Sequence, residues 1–307
     1  RDGDLRSDTV EIDGGALAFT QNREDVSPSD RRPESYAFDK TLGAWRFSAA
    51  SNSGDHAFSR GEARMLPNGQ GMGDPYAAFA SGAAASASYK ANRRVEVGFA
   101  AGTGPNDAEV ARGHATVDFG FARIGGSFGS LTQETGPLGM RGAGGLAVGE
   151  PDATSFAGLT VGVPLGGSWR VAGMYRSGLT SASEVDGAVF RGNTAIRSET
   201  FGFAAVGEDV ARVGDSLRFG VTRPLKVVDG ALKASVPVGR AASGEIIRES
   251  AEIPLSPDGN QLDLQAAYAV PTDAGRFRVA AILRLEPGHD PEADPEFGAM
   301  AQWRYRW

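Results

Sequence analysis

The sequence alternates bulky apolar side chains with polar or very small ones in many short stretches, and this period of two residues restricts the fold most. Successive side chains of an extended strand point to opposite faces, so residues two apart share a face. The terminal stretch GAMAQWRYRW places Trp303, Tyr305 and Trp307 on one face and Arg304 and Arg306 on the other. The alternation therefore predicts strands that lie between two different environments.

The same period recurs along most of the chain, whereas helical periodicity is almost absent. The clearest further stretches are 94–100, 116–122, 168–178, 217–221, 261–270 and 276–286. The chain also contains 43 glycines, which suit turns between short strands. These features predict an all-β protein.

Two all-β folds are compatible with the alternation. In a soluble sandwich the apolar face packs inward, whereas in an outer-membrane barrel it faces lipid. The second face carries glycine, alanine, serine, threonine and more arginine than lysine, which favours the crowded interior of a barrel. The residues predicted to face the lumen are Arg94, Glu96, Asp118, Arg170, Arg176, Arg218, Asp263, Arg278, Arg284, Arg304 and Arg306.

The spacing of the alternating segments also favours a barrel. The predicted strands are 43–51, 79–90, 93–102, 115–122, 126–133, 155–164, 168–179, 196–206, 216–226, 260–270, 276–286 and 297–307. Short turns alternate with longer connections, which are 103–114, 134–154, 180–195, 227–259 and 287–296. Bacterial outer-membrane barrels have an even strand number, short turns at one rim and long loops at the other. The prediction is a twelve-stranded antiparallel outer-membrane β-barrel over residues 41–307.

Residues 1–40 do not fit this barrel pattern. The segment is rich in charged residues and contains Pro28 and Pro33, with ALAFT at 16–20 as a candidate short strand. By its composition it could be a disordered tail.

Composition and motifs give no indication of an enzyme. The chain has no cysteine, and its formal charge of −7 arises from mixed acidic and basic residues, which argues against a nucleic-acid partner. His56, His114 and His289 lie in predicted loops without the spacing of zinc ligands, and no GxSxG motif is present. We therefore expect no catalytic residue, no cofactor and no metal site, and we interpret the acidic segment 286–296 as a solvated loop.

Several stretches resemble the C-terminal translocator region of alphaproteobacterial autotransporters whose passenger is a subtilisin-like serine peptidase. They are GMGDPYAAFASGAAASASY (71–89), IRSETFGFA (196–204), LRFGVTRPLKVVDGALKASVPVG (217–239), IPLSPDGNQLDLQAAYAVP (253–271) and LEPGHDPEADPEF (285–297). The resemblance implies a twelve-stranded barrel in the bacterial outer membrane that exports and anchors an N-terminal passenger. It also implies that residues 1–40 are a connector between the passenger and the barrel, lying partly in the lumen. The peptidase itself, with its catalytic residues, is absent from this chain.

The expected partners are outer-membrane lipid, the passenger domain and the barrel assembly machinery. That machinery recognises a terminal strand ending in aromatic residues, a role predicted here for Trp303, Tyr305 and Trp307. One alternative remains open, which is a small porin or adhesin-like barrel that works through its lumen or its long loops. The lumen is open in a porin and filled by the connector in a translocator.

Overall fold

The computed structural model describes most of the chain and divides it into two compact units, Arg1–Leu131 and Thr132–Trp307. The described residues are 6–12, 15–21, 33–51, 58, 75–133, 136, 138, 140, 152–185, 189–273 and 275–305.

The first unit is a meander in which each strand neighbours the next one along the chain. Its strands are β1 (Arg6–Ile12), β2 (Gly15–Gln21), β3 (Pro33–Leu42), β4 (Trp45–Ser51), β5 (Ala83–Lys90), β6 (Val95–Thr103), β7 (Glu109–Asp118) and β8 (Arg123–Gln133). Tight turns join several pairs. Between β5 and β6, the Asn92 side-chain oxygen accepts the backbone N–H groups of Arg94 and Val95 at 2.7 and 2.9 Å, which closes the turn.

The second unit contains a longer meander and a separate small sheet. Its strands are β9 (Asp152–Gly166), β10 (Trp169–Thr180), β11 (Ser183–Glu184), β12 (Phe190–Asn193), β13 (Ile196–Glu208), β14 (Ser216–Asp229), β15 (Ala231–Arg240), β16 (Ile246–Pro254), β17 (Leu262–Thr272), β18 (Gly275–Leu285) and β19 (Glu296–Tyr305). The meander runs β9-β10-β13-β14-β17-β18-β19, and the small sheet has the order β11-β12-β15-β16.

A buried carboxylate shapes the turn between β13 and β14. Asp215 is 2% exposed and accepts the backbone N–H groups of Val210, Ala211 and Arg212 at 2.7 to 3.0 Å. The Tyr268 hydroxyl of β17 donates to the same carboxylate at 2.7 Å. These hydrogen bonds lower the pKa of Asp215 below its usual value, and the one from Tyr268 has the largest effect.

Each of the twelve predicted strands overlaps an observed strand, although 115–122 shares only its first four residues with β7, and the count of twelve is not confirmed. β1, β2 and β3 precede β4 with antiparallel pairing throughout, and β2 contains the candidate strand at 16–20. β3 also spans residue 40, where the predicted domains meet. The connector role of residues 1–40 stays a prediction.

Three predicted loops are wrong in extent. Residues 103–114 were expected to be a long connection, yet β7 begins at Glu109 and only residues 104–108 join it to β6. The expected loops 180–195 and 227–259 contain the small sheet. Sequence reasoning missed these segments because their alternation of apolar and polar side chains is weak, or because they belong to the small sheet and not to the main meander.

The sheets expose bulky apolar side chains and bury polar ones, the reverse of a water-soluble sandwich. Phe99, Phe128 and Phe203 are 54%, 71% and 60% exposed, whereas Arg112 and Arg176 are each 1% exposed. On β10, β13 and β7 the buried positions recur at every second residue. The apolar face is therefore directed away from the packed interior, as the alternation predicted for a barrel in lipid.

Cross-strand register assembles the two faces into rows. One row joins Val221 of β14, Leu264 of β17, Leu283 of β18 and Phe297 of β19. The adjacent row on the opposite face joins Thr222, Asp263, Arg284 and Glu296. Residues directly opposite in an antiparallel pair share a face, so the register separates apolar rows from charged rows.

The structure describes 3₁₀ helices of three or four residues at Ala77–Ala80, Pro105–Asp107 and Pro287–His289, and no helix among the described residues has the length and apolar character needed to cross a membrane.

Candidate functional site

In the first unit, a buried arginine holds an inward-folded residue against the sheet. Arg112 lies on β7, and its Nη2 donates a hydrogen bond to the carbonyl oxygen of Phe58. Its guanidinium also lies 5.4 Å from the centre of the Phe58 ring, in the geometry of a cation–π contact. Both residues are only 1% exposed. Phe58 is thus held by a charged group on the buried face of β7.

A second part of the same connection packs against β6 and β7. In the 3₁₀ helix Ala77–Ala80 and the preceding Tyr76, the side chains of Tyr76, Ala77 and Ala80 are fully inaccessible. An ideal Cβ built on Gly104 would lie 1.7 Å from the carbonyl oxygen of Phe79. Only glycine permits this approach, so the position of the helix depends on the absence of a side chain at Gly104.

Charged residues of the first unit form two pairs toward its short turns. Glu96 accepts the Ser88 hydroxyl at 3.0 Å and lies 3.9 Å from the Arg46 guanidinium. At the β7–β8 turn, Arg123 donates to Asp118 at 2.7 Å. Glu96 and Asp118, both predicted lumen residues, are therefore placed beside cations.

The buried face of the second unit is rich in hydroxyl groups and carries one deeply buried arginine. Thr154 and Thr180 share a hydrogen bond of 2.6 Å between their hydroxyl oxygens. Thr200 donates its hydroxyl to the carbonyl oxygen of Arg223 at 2.6 Å. Arg176 lies on β10 among these strands and is 1% exposed.

The charged row of β17 to β19 forms a ladder. Arg284 lies 3.8 Å from Asp263 and 3.2 Å from Glu296, so one guanidinium links two carboxylates on neighbouring strands. Arg170 forms a similar pair with Glu208 at 3.6 Å. Alternation alone predicted the face of these arginines, and the register supplies their partners.

The other predicted residues fall into two groups. Arg94 is exposed in the turn 91–94, and Arg218 and Arg278 are partly exposed on β14 and β18. The side chains of Arg304, Arg306, Tyr305 and Trp307 lie outside the described residues, while Trp303 is 57% exposed and contacts Phe277. The lumenal and assembly roles of the predicted residues stay predictions.

Sequence reasoning missed the most buried polar residues of the first unit. Arg112 and His114 were placed in a loop, but both lie on β7 and are buried. Their face alternates with Ala111, Gly113 and Ala115, whose small side chains carry little hydropathic contrast. The sequence signal that could have revealed this strand is an alternation in side-chain size, with small residues on the apolar face.

His289 joins two connections to β14 at the opposite end from the short turns. Its Nδ1 accepts the backbone N–H of Gln261 at 3.0 Å, and its Nε2 lies 3.2 Å from the carbonyl oxygen of Leu225. Nearby, Lys226 donates to the carbonyl oxygen of Gly259 at 2.7 Å. Because Nδ1 is an acceptor, the neutral ring carries its proton on Nε2 and donates to Leu225.

This network predicts a loss of stability in mild acid. Burial has the largest effect and, together with the neighbouring Lys226 and Arg223 charges, lowers the pKa of His289, although the hydrogen bond to the Leu225 carbonyl and the Asp263 charge act in the opposite direction. Below a pH of about 6.5 the unfolded state binds a proton that the folded state does not, so stability falls as pH decreases through that window. We expect the protection factor of the Gln261 amide, which is its exchange rate corrected for the intrinsic pH dependence of amide exchange, to fall below this pH in the wild type and to lose that dependence in His289→Gln. A protection factor that stays constant between pH 7.5 and 5 would contradict the assignment.

Among the described residues, no group of three or more histidine, aspartate or glutamate side chains is arranged to hold a metal ion. His56 lies outside the described residues, and His114 and His289 belong to different units.

The fold is similar to that of solved outer-membrane proteins. No family model and no curated protein matches the sequence. The structure is similar to OmpT (in-vitro folded), an outer membrane protein of Vibrio cholerae, with a TM-score of 0.51 and 11% identity, covering 97% of this chain and 88% of that one. It is similarly related to the loop L8 deletion mutant of OmpT, with a TM-score of 0.50 and 11% identity over 94% and 89% of the two chains.

The likeness shows an outer-membrane β-barrel type of fold. Combined with the exposed apolar faces and buried arginines, this fold places the chain in the bacterial outer membrane, as predicted. At 11% sequence identity, the likeness to OmpT supports no inference about the activity of this chain.

Proposed function

We propose that this chain is a translocator and surface anchor, an outer-membrane barrel that exports an N-terminal passenger and then holds it at the cell surface. The inverted polarity of the sheets carries the proposal, because only a protein surrounded by lipid benefits from exposing Phe128 and Phe203 while burying Arg112 and Arg176. The sequence stretches that resemble autotransporter translocators support the finer assignment.

The buried faces suit a chain in transit or a filled lumen. Small and hydroxylated side chains such as Thr154, Thr180 and Ser198 lie on these faces, as expected of a barrel interior with limited space. Arg112 and Arg176 supply fixed positive charge on these faces. In this role the energy for export comes from folding of the passenger and insertion of the barrel, since no nucleotide-binding motif is present in the sequence.

The terminal strand has the features expected of an assembly signal. Phe297 and Trp303 of β19 are 73% and 57% exposed on the apolar face, and the sequence continues to Tyr305 and Trp307. Aromatic side chains at strand ends also suit the interface between lipid and water. The proposed partners are therefore the barrel assembly machinery and the surrounding lipid.

Surface display of a reporter tests the proposal. A signal peptide and a small epitope-tagged passenger are fused before Arg1, the protein is expressed in a Gram-negative host, and external protease is added to intact cells. We expect the tag to be removed from intact cells while the barrel remains in the outer-membrane fraction. The triple variant W303A/Y305A/W307A should lower the amount of membrane-inserted barrel several-fold and abolish display.

A barrel that inserts normally but leaves its tag protected in the periplasm would contradict the translocator role. It would leave the outer-membrane location intact, since insertion is measured separately.

The alternative is an adhesin-like or porin role, and the exposed β15–β16 hairpin favours the first of these. Every residue of β16 is exposed, and Val236, Val238 and Ile247 offer apolar surface of 44%, 55% and 50% exposure. High steady conductance in planar bilayers would instead favour a porin. A protected tag together with target-cell binding lost on deletion of the hairpin would favour an adhesin.

A further inference from the structure

Strand β16 forms an edge of the small sheet. The sheet order is β11-β12-β15-β16, and among the described strands β15 is the one that pairs with β16. All nine residues of Ile246–Pro254 are exposed. An edge strand presents a row of backbone N–H and C=O groups that can pair with another strand, so natural proteins usually blunt or cover it.

The backbone hydrogen bonds at both ends of the hairpin identify which groups face this edge. The Leu255 N–H donates to the carbonyl oxygen of Gly230 at 2.9 Å, and the Ala241 N–H donates to that of Glu245 at 2.8 Å. Odd-numbered residues therefore direct their backbone groups toward β15. Because the direction alternates along a strand, the even-numbered residues from Ile246 to Glu252 direct theirs toward the edge that faces away from β15.

The sequence of β16 is complementary to itself when reversed about its central residue. In an antiparallel pair of two copies centred on Ser250, Arg248 lies opposite Glu252 of the other copy, and Ile247 lies opposite Ile253. Each contact occurs twice because the pair is two-fold symmetric. Even residues meet even residues, so the edge-facing backbone groups of both copies meet each other.

We propose that β16 pairs antiparallel with β16 of a second copy of this chain, joining two small sheets into one continuous sheet with Ser250 on the two-fold axis. Opposite charges and apolar side chains directly across a strand pair stabilise it. Arg248 already donates to the carbonyl oxygen of Ser235 at 2.9 Å, and a guanidinium has five N–H donors, so this contact and the Glu252 contact are compatible.

Neighbouring registers are less favourable because they place like charges opposite each other or lose the pairs of opposite charges. Centring the pair on Glu249 puts two glutamates opposite each other, and centring it on Arg248 or Glu252 likewise opposes two like charges. Centring it on Ala251 places Arg248 opposite Pro254 and leaves no opposite charges in register. Like charges directly opposite are destabilising, so the Ser250 register is selected.

Three features of the small sheet limit the association to two copies. Pro254 has no N–H to donate, which ends the edge-facing row at that residue. Pairing of β16 with its own copy uses the edge of both molecules and closes the symmetry. The other edge strand, β11, has only two residues. A dimer is therefore the expected product rather than a fibre.

A single engineered cysteine tests this register, because the native chain has no cysteine. In the proposed pair, position 250 of one copy lies opposite position 250 of the other. This is a hydrogen-bonded pair with a Cα separation of about 5.5 Å, which a disulfide spans. We expect Ser250→Cys to give a disulfide-linked dimer under mild oxidation, both in outer membranes and after purification in detergent. The matched control is Ser243→Cys in the exposed hairpin turn, which should cross-link poorly.

Charge reversal in the Ser250→Cys background separates specific pairing from collision. Arg248→Glu or Glu252→Arg alone should weaken dimerisation about tenfold, through two like-charge contacts. The double reversal R248E/E252R restores opposite charges and should recover the cross-linked fraction. It also removes the Arg248–Ser235 contact, so recovery excludes a merely local effect on the hairpin. Far-ultraviolet circular dichroism confirms that each variant is folded.

Three results would overturn the proposal. Cross-linking no better at position 250 than at position 243 would exclude the register. Single reversals without effect would exclude the charge pairs. Disulfide adducts between position 250 and a different outer-membrane protein would assign the edge to another partner. None of these depends on passenger export, so the proposed translocator role is tested separately.

Discussion

Replacing Phe203 by arginine is expected to lower the free energy of unfolding of the membrane-inserted protein by about 2–4 kcal/mol, the usual effect of arginine on the lipid face near the bilayer midplane. Phe203 lies near the middle of β13, opposite Gly173 of β10 and Val221 of β14, and is 60% exposed. In lipid, the guanidinium of the variant is removed from water, whereas in a soluble protein the same exposed position tolerates arginine. Denaturant unfolding in lipid vesicles measures the change.

The matched control is Val213→Arg. Val213 is 91% exposed in the turn between β13 and β14, so the same kind of substitution is made outside the apolar face. We expect a change within about 0.5 kcal/mol there, as for ordinary surface substitutions. Equal and small effects at both positions would mean that Phe203 faces water, and the membrane location would then be wrong.

The second large effect is expected from Gly104→Ala. A Cβ at this position falls 1.7 Å from the Phe79 carbonyl oxygen, so either the 3₁₀ helix Ala77–Ala80 or the β6–β7 connection must move. Overpacking of this kind costs about 1–3 kcal/mol. We expect destabilisation in that range together with faster hydrogen exchange at the Phe79 and Gly82 amides. In the native protein these amides donate to the carbonyl oxygens of Tyr76 and Thr103.

Gly126→Ala serves as its control. Gly126 lies on β8, is exposed, and has no heavy atom within 4 Å of an added Cβ. Alanine should be neutral or slightly stabilising at this position, because it restricts the unfolded chain. If Gly104→Ala behaves like Gly126→Ala, the inward packing of the helix is weaker than the structure indicates.

Phe58 and the stretch from Tyr76 to Ala80 matter for the proposed function because they occupy space on the buried face of the first unit. Arg112 holds Phe58 through a hydrogen bond and a ring contact, and Gly104 admits the 3₁₀ helix Ala77–Ala80. A passenger that leaves through the barrel interior requires these residues to move or to settle after export. The rate of reporter display in the Gly104→Ala variant therefore links the stability measurement to the translocator proposal.

The sequence by itself determined the strands in which the alternation is clear, and their two kinds of face. A period of two is a local property of an extended chain, so residues such as Phe99 and Arg176 reveal their faces without knowledge of their neighbours. The arginine-rich, small-residue face also indicated an enclosed interior, and Arg176 is buried.

Only the tertiary structure decided which distant residues meet. Arg112 contacts a residue 54 positions away, and Asp263 shares a charged row with Arg284 and Glu296 because of strand register. The small sheet, and with it the edge of β16 that faces away from β15, likewise arises from pairing between separate connections. Such contacts depend on chain topology and on close packing, and neither leaves a periodic signal in the sequence.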